Sequence, residues 1–534
     1  MKTKKISILL AASTIMIAGI SLSSCGNGGT VVENAGEQFE LKTLDDLKKA
    51  SSESKPIEVS FWHSFGDTIE KPLSELVEQF TNSMKEKGIY IDVKVASSGG
   101  GYEGLRSRVN QGVSSNSLPT MLLGYPDHFA DYINSNILLP LDDFVYSTDT
   151  DIGLNGAYDY KDFVSSFWNE NLLDVDSSKE GDEIAGIPFN KSTEVMYYNS
   201  NIIDPILSSH GWLDENNNWK NPTWEQVWTV STELKTLVEN KNCKWTHKGV
   251  TYESKKTQYP VYIDSESNFF ITTARQWCKN QEEADKVYTT STSVKEGVVR
   301  FDNPITREAQ NYFLDKANKG LWNIPKQVSM SYGSKVMKNL EAFISIGSTA
   351  GVKNNTDARY ELKVTKIPQR SYDENEAIQA AIQQGTNCTI LSKNSNNLTR
   401  LAAWLLIRYM TSTESTTFFS KSTGYLPVRQ SAIDTDEYQR FLGLANKKLE
   451  DITDPNEKVE YASFVNVSRA INAANSEKEY FYVDKAFKGS SVIRGKLDNL
   501  IQTIYVTGKS IDFAYESIYN SLRKQGITCE KVEK

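Results

Sequence analysis

Cysteine, histidine and proline are scarce in this chain: five, four and 14 respectively among 534 residues. No CxxC pair occurs, and Cys243, Cys278, Cys388 and Cys529 are too scattered to describe a disulfide framework. His63, His128, His210 and His247 lie too far apart for an HExxH or a His-rich centre, so neither a metal nor a cofactor is expected. Positive charge is short as well. Lys and Arg number 59 against 68 Asp and Glu, a net charge of −9, which disfavours nucleic acid as a partner. Beyond residue 24 no apolar run approaches the roughly 20 residues that span a bilayer. Internal repeats are absent too.

Material for cores is plentiful. Hydrophobic residues make up 39% and aromatics 11%, with 26 Tyr and 10 Trp, which argues for a folded protein of two or three domains at roughly 100–200 residues each. The N-terminus sets the compartment. Lys2, Lys4 and Lys5 precede an apolar run from Ile6 to Leu22 that ends at Leu22-Ser23-Ser24-Cys25, the layout of a secretory signal over 1–24. The tetrapeptide resembles a bacterial lipobox, which would make Cys25 the lipidated first residue of the mature protein, held by acyl chains contributing about 0.8 kcal/mol per buried CH₂. Residues 25–55 read as lipidated Cys and flexible tether, with a short amphipathic stretch from Phe39 to Leu47.

Alternation of Ile57, Val59 and Phe61 predicts a strand that ends in the loop Trp62–Asp67; helical spacing of Leu73, Leu76, Val77 and Phe80 follows. Tyr90–Val95 and Leu118–Leu123 predict further strands, with the loops Ser97–Tyr102 and Tyr125–His128 after them. Strands separated by helices imply parallel pairing and an α/β layered domain, whose ligands settle at the carboxyl ends of the strands. A second such pattern begins after about residue 190, with helix Trp224–Leu237 capped by Thr223 and strands at Val261–Ile263 and Ala342–Ile346. Strands near Tyr360–Val364 and Cys388–Leu391 follow, and the remainder reads as mostly helical.

Catalytic templates fail one by one. Gly347-Ser348-Thr349-Ala350-Gly351 has Thr349 where a nucleophile elbow needs its serine. Val506–Ser510 resembles the end of a P-loop, yet the first glycine would have to be Thr503. Ser98-Gly99-Gly100-Gly101 reads as a flexible turn, and Asp214-x-Asn216-x-Asn218 places Trp219 where a calcium loop needs Gly. Aromatics are more informative: Trp62, Tyr102 and Tyr125 follow successive strands, where a ring can stack on the C–H face of a sugar while Asp and Ser bind hydroxyls.

The stretch Ala185-Gly186-Ile187-Pro188-Phe189-Asn190-Lys191-Ser192-Thr193-Glu194-Val195-Met196-Tyr197-Tyr198-Asn199 resembles the central signature of extracellular solute-binding proteins of sugar ABC transporters. Phe61-Trp62-His63-Ser64, Leu118-Pro119-Thr120, Pro222-Thr223-Trp224-Glu225 and Thr423-Gly424-Tyr425-Leu426-Pro427-Val428 agree in order, over Ile57 to Arg523, and the likeness is greatest to glycerol-3-phosphate-binding components. The resemblance implies a two-lobed periplasmic-binding-protein-like α/β fold with a hinge, an interlobe cleft and a helical C-terminal part. It implies lobes over 56–185, with later segments returning to it, and 201–395, a hinge over 186–200 and a C-terminal part, 396–534, completing both lobes. By the same resemblance the cleft draws on Trp62, His63, Ser64, Tyr102, Tyr125 and Asp127 from the first lobe. Ser192, Thr193, Gly347, Ser348, Gly385 and Thr386 come from the second, with Tyr425 nearby. Ser348 at a helix start and Arg469 as a guanidinium suit a phosphate, whereas Glu266 suits sugar hydroxyls and would repel phosphate. The extra residues around 241–256 and 434–458 read as surface insertions.

The resulting expectation is a lipid-anchored, monomeric, non-enzymatic binding component outside the cytoplasm. It captures a carbohydrate or a glycerol-phosphate compound for two permease subunits and a cytoplasmic ATPase, at the plasma membrane or on the periplasmic side of an outer membrane. The alternatives are a secreted glycoside hydrolase, which needs two carboxylates roughly 5–9.5 Å apart, and a sensor-coupled sugar-binding protein.

Overall fold

Two five-stranded mixed sheets carry the architecture. The computed structural model describes residues 37–176 and 181–532; the expectations for the signal over 1–24 and for Cys25 lie outside them. In chain order the sheet strands are β1 (Ile57–His63), β2 (Ile91–Ser97), β3 (Met121–Gly124), β4 (Ile187–Ser192), β5 (Glu194–Asn199), β6 (Val261–Ile263), β7 (Trp322–Asn323), β8 (Ile344–Ser348), β9 (Leu362–Lys366) and β10 (Gln384–Ile390). The first sheet runs β2-β1-β3-β10-β4 and the second β7-β6-β8-β5-β9.

Local sequence explains the pairing. Ile57, Val59, Phe61 and His63 are buried on one side of β1, which lies parallel to β2 in the register Ile57↔Ile91 to His63↔Ser97. The crossover between them is helix Asp67–Glu86, whose Leu73, Leu76, Val77, Phe80 and Met84 cover the sheet. β3 is buried throughout, as expected of a central strand. In the second lobe, Thr223 caps helix Trp224–Glu239 with a full capping box. Phe269, Phe313, Trp322 and Tyr505 pack ring against ring beneath the sheet, with centroids 4.8 to 6.2 Å apart.

The chain changes sheets at a single residue. β4 belongs to the first sheet and β5 to the second, with Thr193 between them, and every residue from Ile187 to Asn199 is buried. It returns between β9 and β10, since β10 inserts antiparallel between β3 and β4. This corrects the expected range of the second lobe: Gln384–Ile390 was read into 201–395 but completes the first sheet, because strand periodicity says nothing about which sheet a strand joins. The C-terminal part serves both sheets. Helices Asn397–Met410 and Thr413–Thr423 pack on the first, while Pro455–Asn475 crosses β9 and β5 and Ser490–Tyr505 packs on helix Glu266–Gln276.

A buried polar network ties the crossing strands together. Lys191 has no solvent exposure; it pairs with Glu170 and donates to the Gly385 carbonyl at 3.2 Å. Glu170 also accepts from Asn387 Nδ2 at 2.9 Å and from Gln383. On the second side, Glu477 accepts from the Ile367 amide at 3.1 Å, and Thr349 N donates to the Thr193 carbonyl at 3.0 Å.

Two readings are corrected at the edges. Residues 37–55 are not tether: Phe39 meets Phe144 edge-on at 5.3 Å, Leu47 is fully buried, and Arg400 Nη1 donates to the Glu37 carbonyl at 2.8 Å. The amphipathic stretch is what docks: Phe39, Leu41, Leu44 and Leu47 all face the core. The two extra stretches are not purely superficial either, since Trp245 donates to the Arg359 carbonyl at 2.8 Å and Tyr438 to or from Ser420 at 2.7 Å, both rings buried.

Removing one partner of a buried ion pair typically costs about 3–5 kcal/mol, because the other charge is left without compensation. Lys191→Met is therefore expected to lower the urea midpoint of unfolding clearly below that of the parent; an unchanged midpoint would refute the role given to this network.

Candidate ligand-binding cleft

A cleft of about 1010 Å³ opens between the sheets. From the first lobe it receives Tyr102, Tyr125, Asp127 and His128; from the crossing strands Ser192, Glu194 and Gln384; from the second lobe Asp264, Glu266, Asn268, Lys326, Tyr332, Gly347 and Ser348; and from the C-terminal part Tyr425, Arg494 and Asp498. Tyr102 stands at the start of helix Gly101–Ser115, after three consecutive glycines, Gly99, Gly100 and Gly101, with φ of +63°, +67° and +66°. Only glycine adopts that run readily, so the GGG sequence is a turn that aims Tyr102, not a phosphate cradle. Tyr125 precedes Pro126, the first residue of helix Pro126–Asn134. The Tyr102 and Tyr125 rings meet edge to face at 4.9 Å, and Tyr425 stacks on Phe419 at 6.0 Å. Burial pushes all three phenols above their ordinary range, so each is a neutral hydroxyl.

Eight of the sequence-chosen residues line this cleft: Tyr102, Tyr125, Asp127, Ser192, Glu266, Gly347, Ser348 and Tyr425. The others do not. β1 continues through His63 rather than ending at Trp62, so period-two alternation turns Trp62 to the opposite face, where the Arg108 guanidinium lies 3.8 Å over its ring. His63 is buried, its Nδ1 accepts from the Phe65 amide at 3.1 Å, and burial depresses its pKa to about 4, leaving it neutral. Ser64 sits behind Tyr102. Thr193, Gly385 and Thr386 are buried supports of the crossing: Gly385 has φ +100° with the Asn190 carbonyl 1.9 Å from where a Cβ would stand, and Thr386 donates to Asn190 Oδ1. Ser348 caps the turn Thr349–Gly351, which runs directly into the short helix Val352–Asn355, and its hydroxyl already accepts from the Ala350 amide.

Arg469 is the largest displacement. It pairs with Glu361, donates to the Leu362 carbonyl at 2.7 Å and faces a separate groove beside Asp204 and Lys363. The cleft's guanidinium is instead Arg494, which pairs with Asp484 and donates to Asn268 Oδ1. Helix Ser490–Tyr505 buries Ile493, Leu497, Leu500, Ile501 and Ile504. Arg494 and Asp498, four apart on its other face, were the available signal.

Carboxylates dominate the cleft. Glu103, Asp127, Glu194, Asp264, Glu266 and Asp498 line it, against Lys326 and Arg494. Lys326 is committed to Glu266 at 2.7 Å, Arg494 to Asp484, and Glu103 to Arg106 at 2.9 Å. Glu194 is pushed up to about 7 by burial, opposed by Asn268 Nδ2 donating at 3.3 Å and by Arg494. Asp264 is pushed to about 7 by burial and by the Glu194 and Glu266 carboxylates, opposed by the Gly333 amide donating at 2.6 Å. Among the described residues no group of three or more His, Cys, Asp or Glu is arranged to hold a metal ion.

Comparison with known proteins places this geometry. The chain belongs to the bacterial extracellular solute-binding protein family, whose model matches residues 75–446. A search of curated proteins returned no match. Among solved structures, the chain is similar to UgpB from Mycobacterium tuberculosis in complex with glycerophosphocholine, at 16% identity and a TM-score of 0.60 over 88% of this chain and 98% of that one. It is similar to an ABC substrate-binding protein from Listeria monocytogenes in complex with cycloalternan, at 13% identity and 0.61 over 89% and 100%. Maltose-bound MalE3 of T. maritima matches at 12% and 0.59 over 88% and 100%. At such identities the likeness defines the fold, which is the two-lobed binding-protein fold expected, and family membership gives a solute-binding role outside the cytoplasm.

Glu194 and Asp264 hold protons more tightly folded than unfolded, so each favours the folded state at low pH and loses that contribution as pH rises from about 4.5 through 7. Between pH 5.5 and 8 the loss for one group is up to about 2 kcal/mol. Thermal melts should therefore show a smaller drop in Tm over this interval for Glu194→Gln than for the parent; equal drops would rule the shift out.

Proposed function

We propose that this chain is the ligand-capturing component of an ABC importer and that its ligand is a neutral carbohydrate. The observation that carries the reading is the charge balance of the cleft: both cations facing it are already paired, and the surplus is carboxylate. A phosphate entering there meets repulsion and no free cation, whereas hydroxyls donate to Asp127, Glu194 and Asp264 without a charge penalty. Tyr102, Tyr125, Tyr332 and Tyr425 supply rings for the C–H faces of a sugar. Proteins of the same fold crystallised with maltose and cycloalternan support the class of ligand. The glycerophosphocholine complex of UgpB is the precedent for the phosphate alternative.

The ligand leaves unaltered in this reading. Closure of the lobes over the sugar presents a monomer to two permease subunits served by a cytoplasmic ATPase, and the lipid on Cys25 keeps it at the membrane surface. Cys25→Ser is expected to release the protein from the membrane fraction into the soluble one, and retention of the variant would count against lipidation.

A thermal-shift screen of neutral oligosaccharides, glycerol-3-phosphate and glycerophosphocholine tests the ligand class. A binder at a hundredfold excess over Kd stabilises by about 2.7 kcal/mol. A neutral sugar should raise Tm, and Asp127→Asn together with Glu194→Gln should abolish the rise. Stabilisation by the phosphate compounds alone would overturn the assignment.

A further inference from the structure

Away from the crossing strands, the second lobe reaches over to the first through a small hairpin. Thr289–Ser291 and Gly297–Val299 pair antiparallel, with Val287, Tyr288 and Val299 rooted in the second-lobe core. The tip carries Val294 into the opposite lobe. Val294 is 4% exposed and packs in a cluster with Leu105, Val109, Phe129, Ala130 and Ile133, and every other buried member of that cluster comes from the first lobe. Its carbonyl accepts from the Lys488 amide at 2.8 Å and from Asn134 Nδ2 at 3.4 Å, one donor from each side.

A polar contact lies next to this apolar one. Asp131, on the same first-lobe helix as Phe129 and Ile133, accepts from Ser491 Oγ at 2.7 Å and from the Gly489 amide at 3.4 Å, and Arg106 Nη1 holds it at 3.3 Å. Ser491 opens the Ser490–Tyr505 helix, which one turn later delivers Arg494 to the cleft. Grooves of about 1040 and 860 Å³ flank the tip. The contact is therefore narrow, and separating it exposes Val294 and frees Asp131 without opening either core.

We propose that Val294 and Asp131 form a latch between the lobes that sets how long the cleft retains its ligand, without either residue touching the ligand. The inference rests on the solute-binding reading of the cleft. The contact joins the lobes in the arrangement this structure shows; a ligand held between lobes departs from a more open one, so contacts that break on opening slow its departure and raise apparent affinity. The two positions act by positioning the lobes.

The test uses the full chain with Val294→Asp, Asp131→Ala and Val294→Ile. Ligand-free hydrogen exchange should rise in residues 126–134 and 289–299 for the first two variants, with residues 261–263 and 344–348 as protected as in the parent. For a neutral oligosaccharide found by the screen, Val294→Asp should speed dissociation at least about tenfold with Tm nearly unchanged, and Val294→Ile should stay within about twofold of the parent. Exchange unchanged in both variants would overturn the latch, as would a fall in Tm matched by loss of protection throughout the second lobe. If no sugar binds, the exchange measurement still decides the latch while the proposed ligand class fails, so the two outcomes are separable.

Discussion

A lysine without solvent exposure, placed where the chain passes from one sheet to the other, is the interaction on which the rest of this structure depends. Lys191 ends in the Glu170 carboxylate, and the same carboxylate holds Asn387 and Gln383 of the returning segment. Two passages of chain, nearly two hundred residues apart in sequence, are thereby fixed against each other by charge-assisted hydrogen bonds in a low dielectric, where they are strong if complete and costly if broken. Ser192 and Glu194, on either side of Thr193, inherit this fixed floor and present their side chains to the cleft from it.

The walls follow different rules from the floor. Aromatic rings enter from strand ends through loops, and the acidic groups enter from strand ends and helix starts, where backbone amides already hold some of them, as the Gly333 amide holds Asp264 and the Ser267 amide holds Asp498. Such amides offset part of the cost of burying a carboxylate but do not neutralise it. The cleft thus keeps unspent acceptor capacity, which suits a partner rich in donors. Its aromatics reinforce this: the described lining holds four tyrosines and no tryptophan, although the chain has 10.

Much of this was legible in the residues. Strand patterns at Ile57–Phe61, Tyr90–Val95 and Leu118–Leu123 located the first sheet, and the segments after the last two yielded Tyr102, Tyr125 and Asp127. The Pro188–Asn199 stretch pointed to the crossing only through its family resemblance; its unbroken burial is visible in the structure alone. What the sequence withheld is long-range. Arg494 reaches the cleft from a helix some 370 residues after Tyr125, and its spacing to Asp498 marks a polar helix face without saying that the face meets the cleft, whereas Arg469 faces a different groove. Trp62 misled because β1 runs on through His63, so Trp62 sits within the strand on the face opposite Phe61 and His63 rather than in a loop. Strand Gln384–Ile390 misled because hydrophobic pattern identifies a strand but not the sheet that receives it.

The docked segment from Glu37 to Ala50 decides which lobe carries the described start of the chain. Its hydrogen bonds run to Asn397 and Arg400, and Phe39 and Leu47 are seated in the core that serves the first sheet. The described start of the chain is therefore moored on elements of the first lobe. Tyr102 and Tyr125 thus share a lobe with the described start of the chain, while Asp264, Glu266 and the Val294 hairpin belong to the other.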